Sequence, residues 1–203
     1  CSFIFSKKKM ISILDYGGGN GALCNALIKI LSSMYPNLQF NALIVDVYNS
    51  ISFDNIQFQS VENFQKINKK YDIVIASAVL EHLTKPSEVL DHLINLIDEN
   101  GIFYARTPYE IPLVELKLGY KTSWPIHLHD MGPDFWDFVR NKNSNKIAEI
   151  QSKTSLLETS IFAKPIRTTI AFFLKLPSLF ETKYIKNKIK YNGVFWKFVG
   201  GWE

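Results

Sequence analysis

Short apolar runs alternate with stretches of helical spacing along the first half of the chain. Met10 to Tyr16 (MISILDY) is an apolar run that stops at glycines, the pattern of a buried strand meeting a tight turn. Beyond that turn Leu23, Ala26, Leu27, Ile30, Leu31 and Met34 recur at helical spacing, with Asn20 placed to cap the helix. Phe40 to Val45 is a second apolar run, closed by Asp46. Asn55 to Gln59 is shorter and alternating, which suits a third strand near the sheet edge, and Tyr71 to Ala76 (YDIVIA) is the fourth. From Pro86 to Ile97 the positions Val89, Leu90, Leu93, Ile94 and Ile97 share one helical stripe. Pro86 lies in its first turn and Asn100-Gly101 ends the segment, so the fifth strand is expected over Ile102 to Arg106.

Beyond Pro108 the pattern loosens into a segment rich in aromatics and prolines. It suggests a helix from Pro133 to Arg140, a strand around Lys146 to Gln151, a second helix over Ile161 to Leu176 and a closing strand from Val194 to Val199. Strands that alternate with helices predict an α/β doubly wound sheet, whose ligands bind in the crevice beyond the carboxyl ends of the strands.

Composition narrows the picture without redirecting it. At 203 residues, 47% hydrophobic and 21% charged, the chain fits one domain with one core. The net charge of +4 comes from scattered lysines, and Lys7-Lys8-Lys9 is too short for a nucleic-acid patch. Cys1 and Cys24 form no metal or redox motif, and Cys24 reads as a small hydrophobe on the first helix, which makes a cytoplasmic protein the default. No apolar stretch reaches the roughly 20 residues of a membrane span, which leaves peripheral membrane contact open. The chain opens at Cys1 rather than methionine, consistent with a trimmed N-terminus, and no signal peptide can be argued.

The chemistry concentrates at the strand ends. Gly17, Gly19 and Gly21 remove Cβ atoms and permit positive φ, so a ligand can approach the backbone of the turn closely. Asp15, just before them, can reach the cationic amino group of an amino-acid moiety, whereas it would repel a diphosphate. The spacing Gly17-x-Gly19-x-x-Ala22 still satisfies the loose dinucleotide fingerprint, so the glycines alone do not choose a cofactor. Asp46, ending the second strand, is placed to accept hydrogen bonds from ribose hydroxyls; the alternative for either aspartate is a capping or turn role.

The segment Tyr71 to Leu83 (YDIVIASAVLEHL), followed by Pro86, Gly101 and Thr107-Pro108, joins the glycine turn to make four separated motifs. Together, from about Ile11 to Pro108, they resemble the class I S-adenosylmethionine-dependent methyltransferases, in particular the small-molecule O-methyltransferases of the ubiquinone-biosynthesis type and their glycan-modifying relatives. The resemblance implies a Rossmann-like, mostly parallel sheet of about seven strands, with an antiparallel last strand and helices on both faces. It implies S-adenosylmethionine as cofactor and a small molecule, sugar or lipid precursor as acceptor. Asp15, Gly17, Gly18 and Gly19 would line the methionine end of the cofactor, Asp46 the ribose, Ser60 and Val61 the adenine, and Ser77 the strand edge beside the sulfonium. Gly18 stands where related chains often carry cysteine or alanine, and Ser60 replaces the usual acidic residue. The resemblance divides the single domain, residues 1–203, into a cofactor-binding half at 10–108 and an acceptor-binding or lid segment at 109–191.

Some members carry Glu-x-x-Glu-His for a divalent ion, but here Ala78 takes the first glutamate position and leaves Glu81 and His82, so no metal is expected. Thr107-Pro108-Tyr109 follows the fifth strand rather than the fourth and is not the Asn/Asp-Pro-Pro-Tyr motif of base methylation. His82, His127 and His129 are the candidate general bases; a structural hydrogen bond for His82, and a surface pair for the other two, are the plainer readings. A nicotinamide-dependent oxidoreductase on the same fold and a cofactor-binding scaffold without catalysis remain as other classes.

Overall fold

A computed structural model describes residues 8–47, 55–108, 128–129, 131, 133–146, 149–154 and 194–200, together with 165, 166, 169 and 173. The elements, in chain order, are β1 (Met10–Tyr16), α1 (Ala22–Met34), β2 (Gln39–Asp46), β3 (Ile56–Ser60), β4 (Tyr71–Ser77), α2 (Pro86–Asn95), β5 (Ile97–Pro108), α3 (Pro133–Lys142), β6 (Glu149–Thr154) and β7 (Val194–Gly200). Short 3-10 turns at Val61–Lys66 and Leu80–His82 follow β3 and β4. The strands form one seven-stranded sheet in the order β3-β2-β1-β4-β5-β7-β6.

Both faces of the sheet are covered, which is why its central strands read as continuous apolar runs. Ile11 and Ile13 of β1, Ala42 and Ile44 of β2 and Ile73 and Ile75 of β4 face Cys24 and Ile28 of α1. The alternate positions Leu14, Val45, Val74 and Phe103 meet Leu90, Leu93 and Ile94 of α2 and Trp136 and Val139 of α3. The buried Trp136 is fixed further because its Nε1–H donates to the Met131 carbonyl at 3.0 Å and lies 3.3 Å from Thr107 Oγ1, tying α3 to the end of β5.

Three expectations need correcting. The last strand is not antiparallel: β7 pairs in parallel with β5, from Ile102 opposite Val194 to Pro108 opposite Gly200, and in parallel with β6. Residues 155–193 separate β6 from β7, well above the dozen or so that a parallel crossover needs. The second helix stops at Asn95, before the apolar stripe ends, and β5 begins at Ile97 rather than Ile102. Asn100-Gly101 therefore lies inside β5, where the register against β4 shifts between Tyr71 and Ile73; Asn100 takes φ +64, and a Cβ on Gly101 would meet Ile97 at 2.6 Å. Asn20 is not the N-cap of α1, a place held by Gly21 at φ +78; its Oδ1 instead accepts from the Ala22 N–H at 3.1 Å, one residue further on. Most of the helix expected over 161–176 lies outside the described residues; positions 165, 166, 169 and 173 within it are helical.

The amino ends of β1, β4 and β5 are locked by charge. Asp72, buried in β4, accepts from the Ser12 backbone N–H and hydroxyl, both at 2.8 Å, and from the Lys8 ammonium, which also reaches Asp98 at 2.6 Å. The two carboxylates hold the Lys8 ammonium above its ordinary pKa, and Lys8 in turn holds Asp98 below its own. Asp72→Ala would strand Ser12 and Lys8 and should destabilise the domain by about 3 kcal/mol, whereas Asp98→Ala, at the half-exposed end of the same network, should cost under about 1 kcal/mol. Urea unfolding of the two variants checks this; equal losses would show that Asp72 gains nothing from its burial.

Candidate functional site

The winding of the sheet reverses between β1 and β4, since β2 and β3 extend it on one side of β1 while β4 and β5 extend it on the other. The crevice outside the carboxyl ends of these two strands is the position where open α/β sheets take ligands. Two connections wall it: residues 17–21 after β1 and residues 78–83 after β4.

The first wall is shaped by glycine. Gly17, Gly19 and Gly21 all take positive φ, at 73, 55 and 78°, which a residue with a Cβ adopts only at a cost of about 1–2 kcal/mol. The turn is hooked to β2 where the Gly17 N–H donates to the Val45 carbonyl at 2.8 Å, and it closes on itself where the Gly21 N–H reaches the Gly18 carbonyl at 2.9 Å. The three glycines are not equivalent. A Cβ on Gly17 would lie 2.4 Å from Cγ2 of Val79, so the two walls touch there, whereas a Cβ on Gly19 would meet nothing within 4 Å. Gly19 thus faces open space with its backbone bare.

Gly18 has a different reason. A Cβ there would stand 2.7 Å from Cγ and Oδ2 of Asp15 and 3.0 Å from Ile44, so the Asp15 carboxyl fills the volume that the missing side chain leaves. That carboxyl is fully buried, and neither oxygen has a hydrogen-bond partner among the described residues. Burial, with the nearby Asp46 charge adding to it, pushes its pKa up to about 7. Asp46 itself, half-buried at the end of β2, accepts from the Gly19 N–H through Oδ2 at 2.7 Å. The capping alternative for Asp46 is therefore realised, on the same turn that faces the crevice.

The remaining expected residues spread along the same rim. Ser60 stands opposite Asp46 in the β2–β3 register and caps the turn Val61–Lys66, its Oγ accepting from Glu62 at 3.4 Å. Val61 packs half-buried against the core. Ser77 ends β4 opposite Arg106 of β5. After it Ala78 takes φ +54, held by an N–H to the Arg106 carbonyl at 2.9 Å, and this bend delivers Val79 against Gly17. Val79 had no signal in the sequence, because a lone valine in an apolar run announces no contact.

Of the three histidines, His82 has a side chain 38% exposed, with Nε2 4.0 Å from Oε1 of the buried Glu81. The Glu81 carbonyl accepts from the backbone N–H groups of Leu128 and His129, at 2.8 and 3.3 Å, and His129 Nε2 lies 2.8 Å from the Leu83 carbonyl. His82 and His129 are therefore brought to one locality, with the His129 ring already engaged. His127 lies outside the described residues. Among the described residues no three His, Cys, Asp or Glu side chains gather to hold a metal ion.

A Rossmann-like α/β sheet with a glycine turn and acidic strand ends at its switch point is the build of a domain that takes a nucleoside cofactor there. The chain belongs to the methyltransferase-domain family, whose characteristic sequence pattern matches residues 2–156. It is an S-adenosylmethionine-dependent methyltransferase domain by that membership. It is similar to a malonyl-[acyl-carrier protein] O-methyltransferase 1 from Ilyobacter polytropus, 22% identical over 195 residues, covering 92% of this chain and 69% of that one. It also resembles the mitochondrial ubiquinone biosynthesis O-methyltransferase of Dictyostelium discoideum, 24% identical over 150 residues, spanning 66% of this chain and 46% of that relative. A solved plantazolicin methyltransferase, BpumL, in complex with a desmethyl analogue and SAH aligns at a TM-score of 0.46 and 18% identity, over 66% of this chain and 56% of that one.

The two kinds of glycine should separate experimentally. Gly17→Ala meets both the backbone penalty and the Val79 wall and should lower stability by more than about 2 kcal/mol, while Gly19→Ala meets the backbone penalty alone, about 1 kcal/mol. Thermal unfolding of the pair gives the comparison, and a Gly19 variant as damaged as the Gly17 variant would contradict the close approach of Val79.

Proposed function

We propose that this domain transfers a methyl group from S-adenosylmethionine to an oxygen of a small-molecule acceptor, a class that includes sugars and lipid precursors, at the crevice between β1 and β4. The observation that carries the reading is Asp15, a fully buried carboxyl without a partner beneath a bare glycine turn. Such a group suits a cationic ligand atom and opposes the diphosphate of a dinucleotide. The oxygen acceptor is supported by the names of the two curated relatives, both O-methyltransferases.

In this reading the amino group of the methionine moiety rests on the turn Gly17 to Gly19, above the buried Asp15, and Asp46 takes the ribose hydroxyls while keeping the Gly19 N–H. Ser60 and Val61 border the adenine, and Ser77 the strand edge beside the sulfur. The cofactor supplies a methyl group on a sulfonium that leaves readily. The chain has to align the acceptor oxygen with that methyl, exclude water and receive the acceptor's proton. His82 is the residue we assign to the proton, because its ring is partly open to solvent and stands just past β4. His129 is assigned to hold the 128–129 segment against the second wall through its bond to Leu83. His127 and the acceptor-binding segment at 109–191, largely outside the described residues, would complete the site.

Two measurements test this. In calorimetric titration S-adenosylhomocysteine should bind and NADH should not, and Asp46→Ala should weaken the former by at least about 1 kcal/mol. Micromolar NADH affinity with no S-adenosylhomocysteine binding would sink the reading. Under saturating cofactor His82→Gln should slow turnover by ~10-fold or more, the scale of a lost general base; an unchanged rate removes His82 from that role.

A further inference from the structure

We infer that Asp15 exchanges a proton with solvent when the cofactor binds: at mildly acidic pH it is protonated in the ligand-free protein, and it ionises when a ligand brings a cationic amino group to the glycine turn that covers it. This rests on the reading of the glycine turn as the cofactor site.

The geometry around Asp15 offers its charge nothing. Its strand neighbours in register are Ile44 of β2 and Ile75 of β4, and Gly18 closes over the carboxyl at a distance no side chain could share. From α1 comes the Cys24 thiol, which burial, and then Asp15 itself, pushes up to about 12, so it is neutral and gives no positive charge. From the end of β2 comes Asp46, a like charge. β4 contributes only Ile75 in register, and among the described residues no lysine or arginine pairs with Asp15. Compare Asp72 in the same sheet, where three donors from Ser12 and Lys8 meet an equally buried carboxylate. Burying an ionised carboxylate alone costs several kcal/mol, so the ligand-free protein favours the acid form up to about pH 7.

A ligand ammonium reverses that preference by supplying the missing counter-charge. The step balances simply: the Asp15 O–H bond breaks, its proton passes to solvent, the carboxylate keeps the electron pair, and the ammonium keeps its three protons. Its sign follows. Below pH 7 the ligand must expel the proton, so affinity falls as pH falls; at higher pH Asp15 is already ionised and this dependence ends. On the alkaline side the ligand's own α-amino group loses its proton and its charge, and affinity declines again.

S-adenosylhomocysteine titrated calorimetrically at pH 7.0 and 5.5, in buffers of different ionisation enthalpy, should bind roughly tenfold more weakly at pH 5.5 and release close to one proton there. Asp15→Asn should bind with little pH dependence over this range and release none. Wild-type affinity that is flat with pH, or binding without proton release, overturns the inference while leaving the cofactor site intact. No binding at any pH removes the cofactor site and the inference together. Should the Asn variant not fold, the 13C carboxyl resonance of Asp15 in the ligand-free protein decides independently: a titration midpoint near 7 supports the exchange, and one below about 5 overturns it.

Discussion

An unpaired carboxyl group buried in an apolar sheet is costly, and the carboxyl end of β1 is organised around that cost at Asp15. The residue occupies the face of β1 that otherwise carries Ile11 and Ile13, packed on α1. The chain then has to leave the strand, cover the carboxyl and begin a helix within five residues. Gly18 gives the carboxyl its volume, Gly17 lets the turn press against Val79, and Gly21 starts α1 from a left-handed conformation. Each glycine removes a different obstacle. The turn is therefore less a generic flexible loop than a close-fitting cover over one polar group, pinned at Gly17 by Val45 and at Gly19 by Asp46.

The two poles of the sheet use the same residue type in opposite ways. Asp72 is saturated by backbone, hydroxyl and ammonium donors and holds the amino ends of three strands together. Asp15 and Asp46, at the carboxyl ends, sit close enough for the charge of one to disfavour ionisation of the other. A saturated carboxylate gains little from a new ligand, because its acceptor sites are taken; a buried one without donors gains much. The pole at which the sheet places its donors is thus separate from the pole at which it leaves a buried carboxyl without them.

The first half of the chain is legible because its signals are local. The strands at Met10–Tyr16 and Tyr71–Ser77 are bounded by breaks in apolar periodicity, and the glycines mark the turn directly. What escaped was decided by contacts between distant segments. The end of α2 is masked in the sequence because Ile97 continues its apolar stripe, although that residue pairs with Tyr71 as the start of β5. The direction of β7 depends on the path between β6 and β7, about which the sequence of β7 says nothing. Gly18, a departure from the family pattern, has its Cβ position occupied by the Asp15 carboxyl, a contact across three residues that periodicity does not register. The places of Asp15 and Asp46 at the strand ends are legible from spacing alone, but their unequal surroundings are not.

The capping and ligand-binding interpretations of Asp46 need not compete. A carboxylate presents about four acceptor sites, and the Gly19 N–H takes one of them. That single bond ties the end of β2 to the part of the turn where a Cβ would meet nothing, the stretch a ligand can approach most closely. In the proposed reading, a ligand that engages Asp46 from the crevice would therefore meet a carboxylate already oriented by the turn. Orientation in advance of binding lowers the ordering cost that binding would otherwise carry. The same bond explains how a turn with three left-handed glycines at alternate positions holds one conformation: an acceptor from a neighbouring strand fixes its middle, while its ends are fixed by Val45 and by α1.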